Sequence, residues 1–120
     1  MILALGVALA GSVGAGLRWL ADVALSRRRR TPFPWPILLV NATGCFVFAT
    51  LIGVVPGGPV ATIVGGGLLG GFTTYSTVSL DSAELWRTGR HALATLNALG
   101  TLALCAITAL AGLLVGSALT

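Results

Sequence analysis

Residues 65–79 read Gly65-Gly66-Gly67-Leu68-Leu69-Gly70-Gly71-Phe72-Thr73-Thr74-Tyr75-Ser76-Thr77-Val78-Ser79. Five of the first seven are glycine, and six of the seven from Thr73 to Ser79 carry a hydroxyl. This is a poor composition for a helix that faces lipid. Paired glycines weaken a helix, and hydroxyls compete for its carbonyls. A break at Gly70-Gly71 would leave carbonyls unpaired, which is tolerated at membrane depth only where protein, water or an ion satisfies them. Freed carbonyls and helix ends are how broken membrane helices hold a cation. A Ser/Thr-rich packing interface is the competing reading, but the coincidence of break and hydroxyls favours a site.

The surrounding chain shows why membrane depth is the right setting. Of its 120 residues, 56% are hydrophobic and only 8% charged, against roughly 25% charged in soluble domains. That excludes a soluble enzyme, a disordered tail and a nucleic-acid module. The net charge of +4 comes from arginines too few and too segregated to grip phosphates. The length suits about four spans of roughly 20 residues. They are expected at about 2–25, 36–55, 60–80 and 92–119, with a polar loop from Asp81 to Arg90, forming one all-α transmembrane domain with a broken third helix. The spans must be helical, because four strands cannot close a barrel. The first lacks the basic leading region of a signal peptide.

Cys45 and Cys105 sit inside different apolar spans and read as small buried residues, with no ground for a disulfide. His91 reads as interfacial, and no Cys/His cluster suits a transition metal. The arginines set the topology. Loop 1 carries Arg27, Arg28, Arg29 and Arg30, loop 3 carries Arg87 and Arg90, and the other ends carry none. The positive-inside rule puts both loops in the cytoplasm and both termini outside. Gly6, Ala10 and Gly14 share one face of the first span, as Gly112 and Gly116 do in the fourth; close helix packing suffices for them.

Other polar residues inside spans are ambiguous. Arg18, one turn before Asp22, is either half of an i,i+4 pair or a positive charge at the mouth of an anion path. Asn41 is either interhelical glue or a donor that faces an anion. Asn97 and Thr101, with Thr108 two turns later, either pack or extend a polar track.

Three segments resemble the Fluc family of small fluoride channels. Gly11-Ser12-Val13-Gly14-Ala15-Gly16-Leu17-Arg18-Trp19 is similar to its first-helix Gly/Arg motif. Leu39-Val40-Asn41-Ala42-Thr43-Gly44-Cys45-Phe46 is similar to its second-helix motif, and Gly70-Gly71-Phe72-Thr73-Thr74-Tyr75-Ser76-Thr77 to its third-helix signature. Order, spacing and length agree across nearly the whole chain. The resemblance implies an antiparallel (inverted) dimer with two pores along the subunit interface. It implies a central structural Na+ held by backbone carbonyls, here of Gly70 and Thr73 from both subunits. It matches Asn41 to a pore-lining amide, Arg18 to a basic residue of the first helix, and Ser76 and Thr77 to hydroxyls near the ion path.

The departures matter. The family places two phenylalanines three apart in the third motif, and their ring edges line the pores; here Tyr75 and Val78 stand there. An aromatic edge carries partial positive charge, which Tyr75 keeps and Val78 lacks. The fourth helix also lacks the expected tyrosine, since Tyr75 is the only one. The expected function is a fluoride-selective channel subunit, not an enzyme, that lowers cytoplasmic fluoride by passive export across the cell membrane. Its expected partners are fluoride, the bilayer and a homologous subunit in the opposite orientation, with no nucleic acid. The strong arginine bias fixes one orientation, so a heterodimer is favoured over a homodimer. Two alternatives stand beside this. One is a non-conducting partner subunit. The other is a small multidrug transporter, which would need a carboxylate deeper in the bundle than Asp22.

Overall fold

The computed structural model describes residues 1–27 and 31–120; Arg28, Arg29 and Arg30 of the loop 1 cluster lie outside them. The described residues are all helix and connection. Helix α1 runs Ile2–Ser26, α2 Trp35–Val54 and α6 His91–Ala118. These three are long and apolar enough to cross a membrane. Between α2 and α6 the chain is helical in pieces: α3 Gly58–Val60, a π-helix Ala61–Leu69, α4 Gly70–Phe72 and α5 Tyr75–Arg87. The long dimension of 46 Å is close to a bilayer with its headgroups, about 40–45 Å.

Glycine contacts reveal which helices run together. Gly6 of α1 packs on Ile63, Gly11 on Gly71, and Gly14 on Leu68 and Phe72. Positions climb along both partners, so α1 and the 58–72 stretch run parallel. In the same way Gly112 of α6 packs on Phe46 and Thr50, and Gly116 on Gly53, so α2 and α6 run parallel. Loops 1 and 3, which precede α2 and α6, therefore share one end. At Gly14, Gly71 and Gly112 an added Cβ would collide with a backbone carbonyl of the neighbouring helix, and that backbone cannot yield as a side-chain tip would. In lipid, where helices gain nothing by hiding apolar surface from each other, such close approach is a main source of association.

The polar loop expected from Asp81 to Arg90 is instead mostly helix. Helix α5 continues to Arg87, and only Thr88–Arg90 connect it to α6. Hydropathy registers the loss of apolar residues there, not a loss of helicity. The stop is a Schellman motif. Gly89 takes a positive φ of 79°; its N–H donates to Trp86 O at 3.0 Å, and the Arg90 N–H donates to Leu85 O at 2.8 Å. The inner face is formed by Ile37, Leu38, Val40, Val78, Leu85 and Ala94, all buried. Leu5, Leu9, Leu102, Leu110 and Leu114 are exposed, as a lipid-facing or subunit-facing surface requires.

Candidate functional site

The helix interruption lies at Thr73 and Thr74, just past the Gly70-Gly71 pair where the glycine content places it. Gly70–Phe72 is helical, and Thr73 still donates its N–H to Leu69 O at 3.0 Å. Thr73 (φ −80°, ψ 156°) and Thr74 (φ −151°, ψ 123°) are then extended, and the helix resumes at Tyr75. Gly71, like Gly67, serves close packing against α1. The interruption has a different cause, on α2.

Asn41 is 5% exposed. Its Nδ2 donates to Thr74 O at 2.9 Å, and its Oδ1 accepts from the Thr74 N–H at 2.7 Å. The amide thus pairs with both backbone groups of one residue, as a neighbouring strand would. In a continuous helix the Thr74 N–H would close on the Gly70 carbonyl; Asn41 takes that donor away. Thr74 then caps α5: its Oγ1 accepts from the Thr77 N–H at 3.2 Å. That donor would otherwise close on the Thr73 carbonyl. Diverting two amides withdraws the helical partners of two carbonyls, those of Gly70 and Thr73. The Thr74 hydroxyl also lies 3.1 Å from those of Ser76 and Thr77.

A cleft of about 680 Å³ opens beside this turn, between α2, α5 and α6. Asn41, Gly70, Thr73, Tyr75 and Val78 all border it. Tyr75 projects outward, 85% exposed, whereas Val78 is 5% exposed and packs inward. Ser76 and Thr77 join the hydroxyl cluster around Thr74 without bordering the cleft. Arg18 is separate: it lies on α1, half-exposed, with no ion pair among the described residues. Asp22 instead accepts from Ser26 Oγ at 3.2 Å.

Asn97 and Thr101, which the sequence leaves open between packing and a polar track, lie on α6 near the cleft and on its wall respectively. Asn97 is 1% exposed; its Nδ2 donates to Val78 O at 3.2 Å and to Ser82 Oγ at 2.9 Å. Asn97 Oδ1 and Thr101 Oγ1 are buried without a hydrogen-bond partner among the described residues. Buried polar atoms usually find protein or water partners, and Thr101 borders the cleft. Cys45 and Cys105, from spans far apart in sequence, become neighbours on the same cleft wall. The four-residue spacing of Asn97, Thr101 and Cys105 was visible; which residues of α2 and α5 oppose them was not.

The family described as CrcB-like protein, Camphor Resistance (CrcB), matches residues 5–113. A fluoride-specific ion channel of Rubrobacter xylanophilus is 44% identical over 103 residues, covering 85% of this chain and 82% of its own. The fluoride-specific ion channel FluC of Magnetococcus marinus is 38% identical over 116 residues, covering 92% and 94%. That of Chelativorans sp. is 37% identical over 102 residues, covering 81% and 82%.

Proposed function

The chain belongs to the CrcB-like family, and from this premise we propose that it is a subunit of a fluoride-specific channel that lowers cytoplasmic fluoride by passive export. The observation that carries this is the alignment of relatives bearing that name over most of both chains. The chemistry is suitable. Fluoride is small and tightly hydrated, so a path must offer donors at close range without one buried cation that would bind it too tightly to pass. The cleft offers the Tyr75 ring edge and hydroxyl, the Ser79, Ser82 and Thr101 hydroxyls and the second N–H of Asn41. An inside-negative potential drives a monovalent anion outward by about 2.3 kcal/mol per 100 mV. Cells stripped of their own exporter regain growth in fluoride when this chain and any needed partner are supplied; if growth stays as poor as with an empty vector, the proposal fails.

The Gly70 and Thr73 carbonyls fit a sodium site. Both lose their helical donors to Asn41 and Thr74, and among the described residues no group of three or more His, Cys, Asp or Glu could hold a metal. Neutral carbonyls without carboxylate suit Na+ better than Ca2+. The ion would neutralise the converging carbonyl dipoles and fix the turn, and is not itself transported. The pair is expected from two subunits in opposite orientation, with the interruptions meeting at the centre.

The partner is proposed to be a homologue rather than a second copy. Arg27–Arg30, Arg87 and Arg90 make six loop arginines in loops 1 and 3 against none in loop 2 and the termini. Such a bias holds loops 1 and 3 in the cytoplasm and both termini outside, so identical chains would all point one way. Protein expressed alone should then not conduct. One observation favours a second reading, a subunit whose own pore is silent: Val78 is buried and aliphatic and gives an anion no aromatic edge. Blocking only the partner's pore abolishes all flux if this reading holds, and leaves part of it if both pores conduct.

A further inference from the structure

We propose that Cys45 and Cys105 together form a two-thiolate site for a soft divalent cation of the mercury(II) class, and that filling it obstructs the cleft. The thiols come from different helices, α2 and α6, border the same cleft and meet side chain to side chain. Both are free, half-buried and on the wall of the same cleft, so a solute entering it meets the pair. Each sits near the middle of its helix, Cys45 within Trp35–Val54 and Cys105 within His91–Ala118.

That depth selects the cation. Thiolate sulfur prefers soft metals, but a thiol must lose its proton to bind, and an unpaired charge in a low-dielectric interior is costly. A soft dication bound by two thiolates has no net charge. A monovalent cation on the same pair leaves one negative charge at mid-membrane. Zinc and harder metals want four ligands, and among the described residues no third metal-binding side chain joins the pair. The step is a balanced exchange: two S–H bonds break, two S–metal bonds form, and two protons leave through the cleft. No electron is transferred. The Thr101 hydroxyl, one helical turn before Cys105, borders the same wall without a partner and can accept a hydrogen bond from water that carries a departing proton. Parallel packing of α2 on α6, with Gly112 and Gly116 against Phe46 and Gly53, fixes how the two helices stand against each other.

The obstruction rests on the fluoride-channel reading; the binding does not. Mercuric chloride is titrated into the purified channel, with bound metal and free thiols counted per chain by mass and by maleimide labelling. The expected result is one mercury per chain, both thiols lost together at one equivalent, and two protons released. The chelated metal should resist a monothiol competitor roughly a hundredfold or more better than in the Cys45→Ser or Cys105→Ser variant, each of which keeps one thiol. Two mercury ions per wild-type chain, a mercury bridge between chains, or stripping as easy as from either variant would overturn the site. In vesicles one equivalent should remove the share of fluoride efflux that passes this chain's cleft, and efflux unchanged by stoichiometric metal overturns the obstruction. Vesicles that never conduct fluoride count against the channel reading and leave the stoichiometry test intact.

Discussion

Replacing Asn41 with Ala removes the two hydrogen bonds that hold Thr74 out of the helix. Both are short, 2.9 Å and 2.7 Å, and both are buried. Only the Thr74 N–H is orphaned, at about 1–3 kcal/mol if the turn keeps its shape, because the Thr74 carbonyl, at the N-cap of α5, keeps the first intrahelical bond. The turn has an escape: the freed Thr74 N–H can close on the Gly70 carbonyl. The bond from Asn41 Nδ2 to the Thr74 carbonyl is still lost, which leaves about 0.5–1.5 kcal/mol. The same closure occupies one of the two carbonyls assigned to sodium, so sodium-dependent stabilisation should fall as well. The assay is reversible unfolding in mixed micelles with and without sodium. Thr43→Ala is the control, since Thr43 is exposed and bonds only to Leu39 O within its own helix. Its cost should stay within about 0.5 kcal/mol. An Asn41→Ala variant as stable as the Thr43→Ala control, with its sodium dependence intact, would refute the clamp.

Gly112→Leu should disrupt the α2–α6 contact, because its side chain meets the Phe46 carbonyl; overpacking of about 1–3 kcal/mol or more would show as lower thermal stability in detergent. Gly89→Ala should cost roughly 1–2 kcal/mol, since its φ of 79° is one that side-chain-bearing residues resist; an unchanged melting point would contradict the Schellman stop. Glu84→Gln should change stability by less than about 1 kcal/mol. The Glu84–Arg87 pair is close, at 2.8 Å, but its side chains are 57% and 77% exposed, where water screens the gain.

Uninterrupted apolar runs made α1, α2 and α6 legible in the sequence, because hydropathy is a direct measure of what lipid tolerates. The 58–87 stretch was not legible in the same way. Its glycines signal weakness in a helix, yet in the fold Gly67 and Gly71 serve contact with α1. The interruption comes from Asn41, which lies 33 residues away in sequence from Thr74. No local pattern reveals such a partner. For the same reason Asn41 could be read as packing glue or as pore donor. In the structure its Oδ1 and one N–H engage Thr74, which leaves one N–H for anything else. The helix from Asp81 to Arg87 is not legible because polar composition marks an exposed helix and a loop alike. The cysteines lie on spans far apart in sequence, and only the docking of α2 on α6 brings them to one cleft.

Fluoride flux through vesicles tests the central claim most directly. The chain is co-purified with a homologue of opposite loop charge and reconstituted, and efflux of fluoride and of chloride is followed with a fluoride electrode and a chloride electrode under a clamped potassium potential. The account predicts fast fluoride efflux that follows the imposed potential, little chloride efflux, and no efflux from vesicles holding this chain alone. Vesicles of the assembled complex that retain fluoride as well as empty ones, or that release chloride equally, would contradict it.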